Sequence, residues 1–315
     1  MLKKSIALAL MIAGPAVFAE ATTSTSQTKV KIKKSEKVDK ADELITNRRM
    51  RADGGSLSKF SISSSFTYNG GSVTKPLAAD RPNIAGAADD VSVASMSGDI
   101  AASYRLNKKN RLGLGTGLSM IAPFNNSIDT NSKKAESQFE KNQGELDVSD
   151  PYLSYTHINK ILGVQTVFGT SYTHITNNSY NDAGYINNIQ ANVNSMYDFG
   201  GSAFSVGLLV AGGKYLFNSD EIGRENQVDS WIGFYPQAEY NISDTFNLRT
   251  IVRSNVYENT RSDTSDFSQH VITQSLGLGV SVTRDIFLYP NIQFAYRNLQ
   301  MSNTNIGISA NVNMF

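Results

Sequence analysis

The chain has 315 residues, 29 Lys and Arg against 28 Asp and Glu, 40% apolar residues and no Cys. The missing Cys excludes disulfide frameworks, thiol nucleophiles, Cys-ligated metals and lipid attachment through a thiol. A net charge of +1 gives no reason to expect a nucleic-acid partner.

The first elements read as an export signal. Lys3 and Lys4 make a basic start, Ile6 to Ile12 is an uncharged apolar run, and Gly14-Pro15 breaks it before Val17-Phe18-Ala19, a small-residue cleavage site. The run is shorter than the roughly 20 residues that span a bilayer as a helix, so residues 1–19 are expected to be a signal peptide. Residues 20–55 form a basic leader on the periplasmic side, with nine basic against six acidic residues. Val38, Ala41 and Ile45 fall at helical spacing, which predicts a short helix within 35–51. Charge runs are usually solvated, so this leader is read as free in preference to a plug that folds back into a barrel.

From Ser56 onward the period is two. Phe60, Ile62, Phe66 and Tyr68 alternate with Ser and Thr, and the pattern returns in Leu112-Leu114-Leu118-Met120, Phe204-Val206-Leu208-Val210 and Ile306-Ile308-Ala310-Val312-Met314. One apolar and one polar face per strand suits a sheet between lipid and a watery lumen. Twelve strands are expected, near 56–68, 91–106, 111–122, 148–158, 161–173, 188–198, 202–216, 229–241, 245–257, 267–283, 285–297 and 304–315. The joins alternate long and short; the short ones include 107–110, 159–160 and 242–244, and the longest are 69–90 and 123–147. Phe60, Tyr104, Tyr155, Tyr197, Phe204, Tyr240 and Phe246 sit on the apolar face near short turns, and Tyr68, Tyr172, Phe234 and Tyr296 near long loops. Such girdles flank a lipid-facing band because an amphipathic ring suits the headgroup layer.

With its signal peptide, even strand count, girdles and terminal aromatic Phe315, the chain resembles the bacterial outer-membrane β-barrel (porin-like) superfamily. The resemblance implies an all-β fold, a closed antiparallel transmembrane β-barrel over 56–315, located in the outer membrane among its lipids and lipopolysaccharide. It also implies recognition by the barrel-assembly machinery, with Phe315 as the assembly signal, although Phe315 is one residue out of phase with the apolar face before it.

Projecting the alternation inward gives a lumen lined by Lys59, Asp99, Arg105, Arg111, Asp150, Asn192, Asn194, Glu239, Arg249, Arg253, Gln293 and Arg297. Arginines lining a pore favour anions; the competing reading pairs them with Asp99, Asp150 and Glu239. Gly113, Gly115 and Gly117 face the same lumen and leave room for a large neighbouring side chain. His174 and His270 lie at long-loop ends near Ser and Asp, but without a nucleophile elbow, so no enzyme is expected, and no pattern calls for a cofactor or a metal. Passive diffusion of small hydrophilic solutes is the expected function. The alternatives are a non-conducting structural or surface-adhesion barrel working through 69–90 and 123–147, and a rim-located lipid hydrolase.

Overall fold

The computed structural model describes residues 40–84, 92–125, 146–200, 202–218, 227–253 and 255–315. The signal peptide and residues 20–39 lie outside them, as do parts of the two longest loops. No helix among the described residues is long and apolar enough to cross a membrane.

Twelve antiparallel strands close into a barrel. In chain order they are β1 (Phe60–Ser72), β2 (Ser95–Arg105), β3 (Asn110–Ile121), β4 (Asp147–Ile161), β5 (Val164–His174), β6 (Tyr185–Asp198), β7 (Phe204–Phe217), β8 (Val228–Asn241), β9 (Phe246–Arg253 and Asn255–Thr260), β10 (Thr273–Ser281), β11 (Ile286–Ala295) and β12 (Asn305–Met314). Each pairs with the next, and β12 returns to β1 with Ile62 opposite Met314 and Tyr68 opposite Ile308. Closure leaves no unpaired edge, which a strand facing lipid requires.

The alternation does what its period demands. Phe60 (68% exposed), Leu114 (60%) and Leu153 (60%) point outward, while Ser61, Ser103, Asn194, Gln237 and Asn291 are buried on the inner face. A soluble protein would cover so continuous an apolar band, so lipid is its solvent. Within the girdle, Phe60 and Tyr104 rings meet at 4.9 Å and Phe199 stacks on Phe204 at 5.9 Å. Tyr68 departs from the expected girdle: it is buried under Phe124, with ring centroids 5.2 Å apart.

The short turns have local causes. Asn107 Oδ1 accepts from the backbone N–H groups of Lys109 and Asn110 at 2.9 and 3.0 Å, closing β2 onto β3. The β4–β5 turn is not the expected 159–160. Asn159 and Lys160 stay in the ladder, and Leu162-Gly163 makes the turn with φ of 50° and 85°. Two successive positive φ values give a turn whose twist matches the flanking strands, and Gly163 supplies one at no steric cost.

Two short helices precede the barrel, α1 (Lys40–Leu44) and α2 (Arg48–Gly54). They are separate because Asn47 is extended and caps α2, its Oδ1 accepting from Met50 N–H at 3.1 Å.

Candidate functional site

The site is the barrel lumen, and its short-turn end is filled by α1 and α2. Ile45 and Met50, 2% and 0% exposed, pack against inward-facing Ile158, Val167 and Met196. Ala52 packs against Phe287 and Tyr289. Burying side chains of this size is worth about 1.5–3 kcal/mol each. The expectation of a free leader is therefore overturned for residues 40–55. Asp42, Arg48, Arg49, Arg51 and Asp53 find partners, and Ile45, Met50 and Ala52 point into the barrel.

Polar contacts fix the docked pose. Gln165 Oε1 accepts from the backbone N–H groups of Thr46 (2.6 Å) and Asn47 (2.7 Å). Asn47 Nδ2 donates to Glu239 Oε2 at 2.8 Å, and Asn194 Nδ2 donates to Asp53 Oδ2 at 3.2 Å. Arg48 reaches Asp244 in the β8–β9 turn, 2.5 Å away. Arg284, in the β10–β11 turn, binds Asp42 at 2.8 Å and Gly55 O at 3.0 Å. Burial disfavours the Arg284 charge, but the hydrogen bonds and charges of Asp42 and Asp285 outweigh it and hold its pKa above the ordinary arginine value.

Most of the expected lumen residues do face inward. Glu239 lies directly across the ladder from Arg249, and the two form a fully buried ion pair at 3.1 Å. Arg249 also donates to Gln237 Oε1 at 2.7 Å and lies 4.9 Å from the Tyr289 ring centroid. For this arginine the pairing reading holds. Asp99 accepts from Ser65 and from Tyr152 O–H (2.6 Å) rather than meeting an arginine. Arg111 is buried against the leader's exit, donating to Ser56 O, and Arg105 donates to Leu57 O. Asn194 joins Gln237 at 2.7 Å, and Gln293 is buried beside Asn291 at 3.2 Å. Asn192 faces the lumen and is exposed, so that part of the interior is open to solvent.

Three expected lumen residues lie elsewhere. Lys59 precedes β1 and sits on the outer side, its Nζ 5.6 Å from the centroid of the Tyr104 girdle ring. Asp150 is at a bulge, with φ of 55° and a register shift against β3. Its carboxylate turns to the rim, where Oδ1 accepts from the N–H groups of Thr176 (2.8 Å) and Asn177 (2.9 Å). Arg297 lies beyond the end of β11, 5.7 Å from the Tyr296 ring centroid. All three flank strand ends or bulges, where the period-two projection loses its phase.

The glycine expectation is met at Gly115. A Cβ at Gly115 would stand 2.7 Å from the Tyr152 ring, and one at Gly113 would stand 2.5 Å from Ser154 Oγ. Gly115 leaves the room that the Tyr152 ring occupies, its O–H reaching Asp99. Phe315 follows the last strand with φ of 76°, is exposed, and accepts a hydrogen bond from Ser56 through its backbone oxygen.

The sequence reading missed two groups. One is Asn47, Arg49 and Asp53 on the leader. The other is Arg81, which lies between β1 and β2 on a two-residue strand, Asp80–Arg81, paired with Ser92–Val93 outside the barrel sheet. This loop segment folds inward: Arg81 Nη2 donates to Gln293 Oε1 at 2.8 Å, and Asn305 Nδ2 to Pro82 O at 3.1 Å. Nothing in the local sequence marks Arg81 as lumenal.

A hydrolytic rim site finds no support. His174 Nδ1 meets Asn187 Oδ1 at 3.0 Å and His270 Nε2 meets Glu258; among the described residues neither imidazole bonds a serine. His157 meets Asn110 at 2.7 Å near the short-turn interface, as a girdle residue would. The described residues hold no cluster of three or more metal-ligating side chains.

No protein-family profile matches the chain, and no curated protein matches it in sequence. Among solved structures it is similar to an outer-membrane channel from Pseudomonas putida F1, at TM-score 0.51 and 12% identity, covering 83% of this chain and 98% of that one. A porin named NanC aligns at TM-score 0.43 and 9% identity, over 81% and 98% of the two chains. An outer-membrane phospholipase A from Escherichia coli aligns at 0.35 and 11%, over 80% and 89%. The first establishes a shared fold; the other two are too remote to carry an argument. Closed sheet and apolar band make this a transmembrane β-barrel, a fold it shares with the Pseudomonas putida channel.

Proposed function

We propose that the barrel lets small hydrophilic solutes diffuse passively across the outer membrane through a narrow polar lumen, with residues 40–55 restricting its periplasmic end. The observation that carries this reading is the exposed, inward-facing Asn192 within an otherwise packed polar interior, since a twelve-stranded barrel lies between filled eight-stranded and open sixteen-stranded ones. Lipids and lipopolysaccharide solvate its apolar band, and the barrel-assembly machinery inserts it.

The test is single-channel conductance in planar bilayers, comparing the mature chain with one lacking residues 20–55. Small conductance in the first and a clear increase in the second are expected, because deletion empties the space held by Ile45, Met50 and Ala52. Absence of conductance in both defeats this reading. The barrel would then be a structural or surface-adhesion protein acting through its long loops, a reading favoured by the filling of one end with α1 and α2 and by the inward-folded loop carrying Arg81.

A further inference from the structure

Burying two positive charges side by side is unfavourable unless a negative charge lies with them. Three arginines here obey that rule. Arg249 has Glu239, Arg49 has Asp53 at 3.7 Å, and Arg284 has Asp42. Among the described residues Arg81 and Arg253 make no ion pair.

Arg253 ends the first segment of β9 and faces inward, in phase with Arg249. The ladder sets it opposite Thr273, which is itself opposite Ala295. Gln293, two residues along the same inner face, holds Arg81. Arg81, held from the inserted loop, and Arg253, on the wall, thus share one inner face with a single strand between their anchoring positions, and the Arg253 charge acts on Arg81. Among the described residues Arg81 makes one hydrogen bond, to the neutral Gln293, and its buried Nε has no partner. Among the described residues Arg253 has no ion pair, and the like-charged Arg49 is among its electrostatic neighbours.

We propose that Arg81 and Arg253 form a lumenal binding site for an oxyanion, the carboxylate or phosphate group of a small hydrophilic solute. A planar guanidinium presents paired N–H donors that match two oxygens of one such group, a geometry a spherical halide cannot use. The free Nε of Arg81 is one such donor. The docked helices lie below the site, so a solute entering from the long-loop end meets the two arginines before it meets α2. Arg81 reaches the site only because its loop is folded inside, so the loop and the wall both contribute to recognition. This site deepens the channel reading, and rests on it in requiring that solutes reach the lumen.

Calorimetric titration of the detergent-solubilised mature barrel with inorganic phosphate, with acetate and with chloride at matched ionic strength tests the site without requiring conduction. Phosphate or acetate is expected to bind the wild type, and Arg253→Gln to weaken it tenfold or more. Arg81→Gln, made outside the barrel sheet, is expected to do the same and serves where the first variant does not fold. Arg261→Gln, at a rim arginine lying over Phe217, is expected to change nothing. Phosphate stronger than acetate identifies a phosphate-bearing solute class, and the reverse order a carboxylate class. The proposal is overturned if the wild type binds neither anion, if both glutamine variants bind as the wild type does, or if chloride binds equally well. A barrel that binds phosphate but does not conduct keeps the site and loses the channel reading; one that conducts but binds nothing loses the site alone.

Discussion

Replacing both Ile45 and Met50 by Ala should release α1 and α2 from the lumen while leaving the barrel wall intact. Each side chain is almost wholly buried in one cluster with Ile158, Val167 and Met196. Truncating a buried Ile or Met to Ala costs about 2–5 kcal/mol. The two share their neighbours, so the costs overlap and do not simply add. A combined loss of about 4 kcal/mol is a conservative figure, and at about 1.4 kcal/mol per factor of ten it raises the undocked population roughly a thousandfold. Arg48, Arg49 and Arg51 lie in this segment and are held by Asp244, Gln237 and the Ile45 carbonyl respectively, so trypsin reads the undocking directly. When docking and undocking are fast relative to cleavage, the cutting rate tracks the open population. Time-resolved trypsin digestion of the detergent-solubilised barrel, with mass analysis of the fragments, should show cleavage after these arginines accelerated by two to three orders of magnitude. An unchanged rate, with the barrel still folded, refutes the claim that apolar packing holds the segment in place.

Further outcomes follow from the same geometry. Leu208→Arg, on the lipid face, should cost about 2–4 kcal/mol in equilibrium unfolding from lipid, whereas Asn192→Arg, in the solvent-exposed part of the lumen, should cost far less; equal losses would reverse the inside–outside assignment. Glu239→Ala leaves the Arg249 guanidinium buried without its carboxylate and should destabilise by about 3–5 kcal/mol. Lys214→Ala removes a more exposed pair with Asp229 and should cost about 0.2–1 kcal/mol, the comparison being read from denaturant midpoints. Gly115→Val places atoms where the Tyr152 ring lies; tyrosine fluorescence and a lowered melting temperature should both report its displacement. Alanine at His174 or His270 should leave stability unchanged and abolish no lipid hydrolysis, a result checked with a fluorogenic phospholipid.

The barrel wall was legible because each strand states its two faces residue by residue. Ile306, Ile308, Ala310, Val312 and Met314 can lie on one side of a strand only if the strand is extended throughout, and β12 is extended from Asn305 to Met314. Asn159-Lys160 misled because polar residues suggest a turn, whereas Gly163, the residue that could take a positive φ, was the better signal. Asp150 was in phase on paper, but its bulge shifts the register, and no periodicity records an inserted residue. The leader was obscured by its charges. Its signal lay in Ile45, Met50 and Ala52, few but grouped on the face that docks, and their receptor is assembled from strands more than a hundred residues away. Arg81 was invisible for the same reason, since its lumenal position is fixed by Gln293 and by the path of its loop.

The last residues of the plug are tied to the last strand of the wall. Asn313 Nδ2 donates to Ala52 O at 2.9 Å, Asn311 Nδ2 binds Asp53 Oδ1 at 2.5 Å, and Ser56 reaches the Phe315 carbonyl. Those partners do not exist until β12 has joined β1 and the sheet has become a cylinder, so the segment synthesised first finds its seat last. Contacts this distant in sequence are slow to form. Occupancy of the seat therefore serves as an internal marker of completed closure, and a barrel arrested with its seam open should display an undocked, protease-sensitive leader.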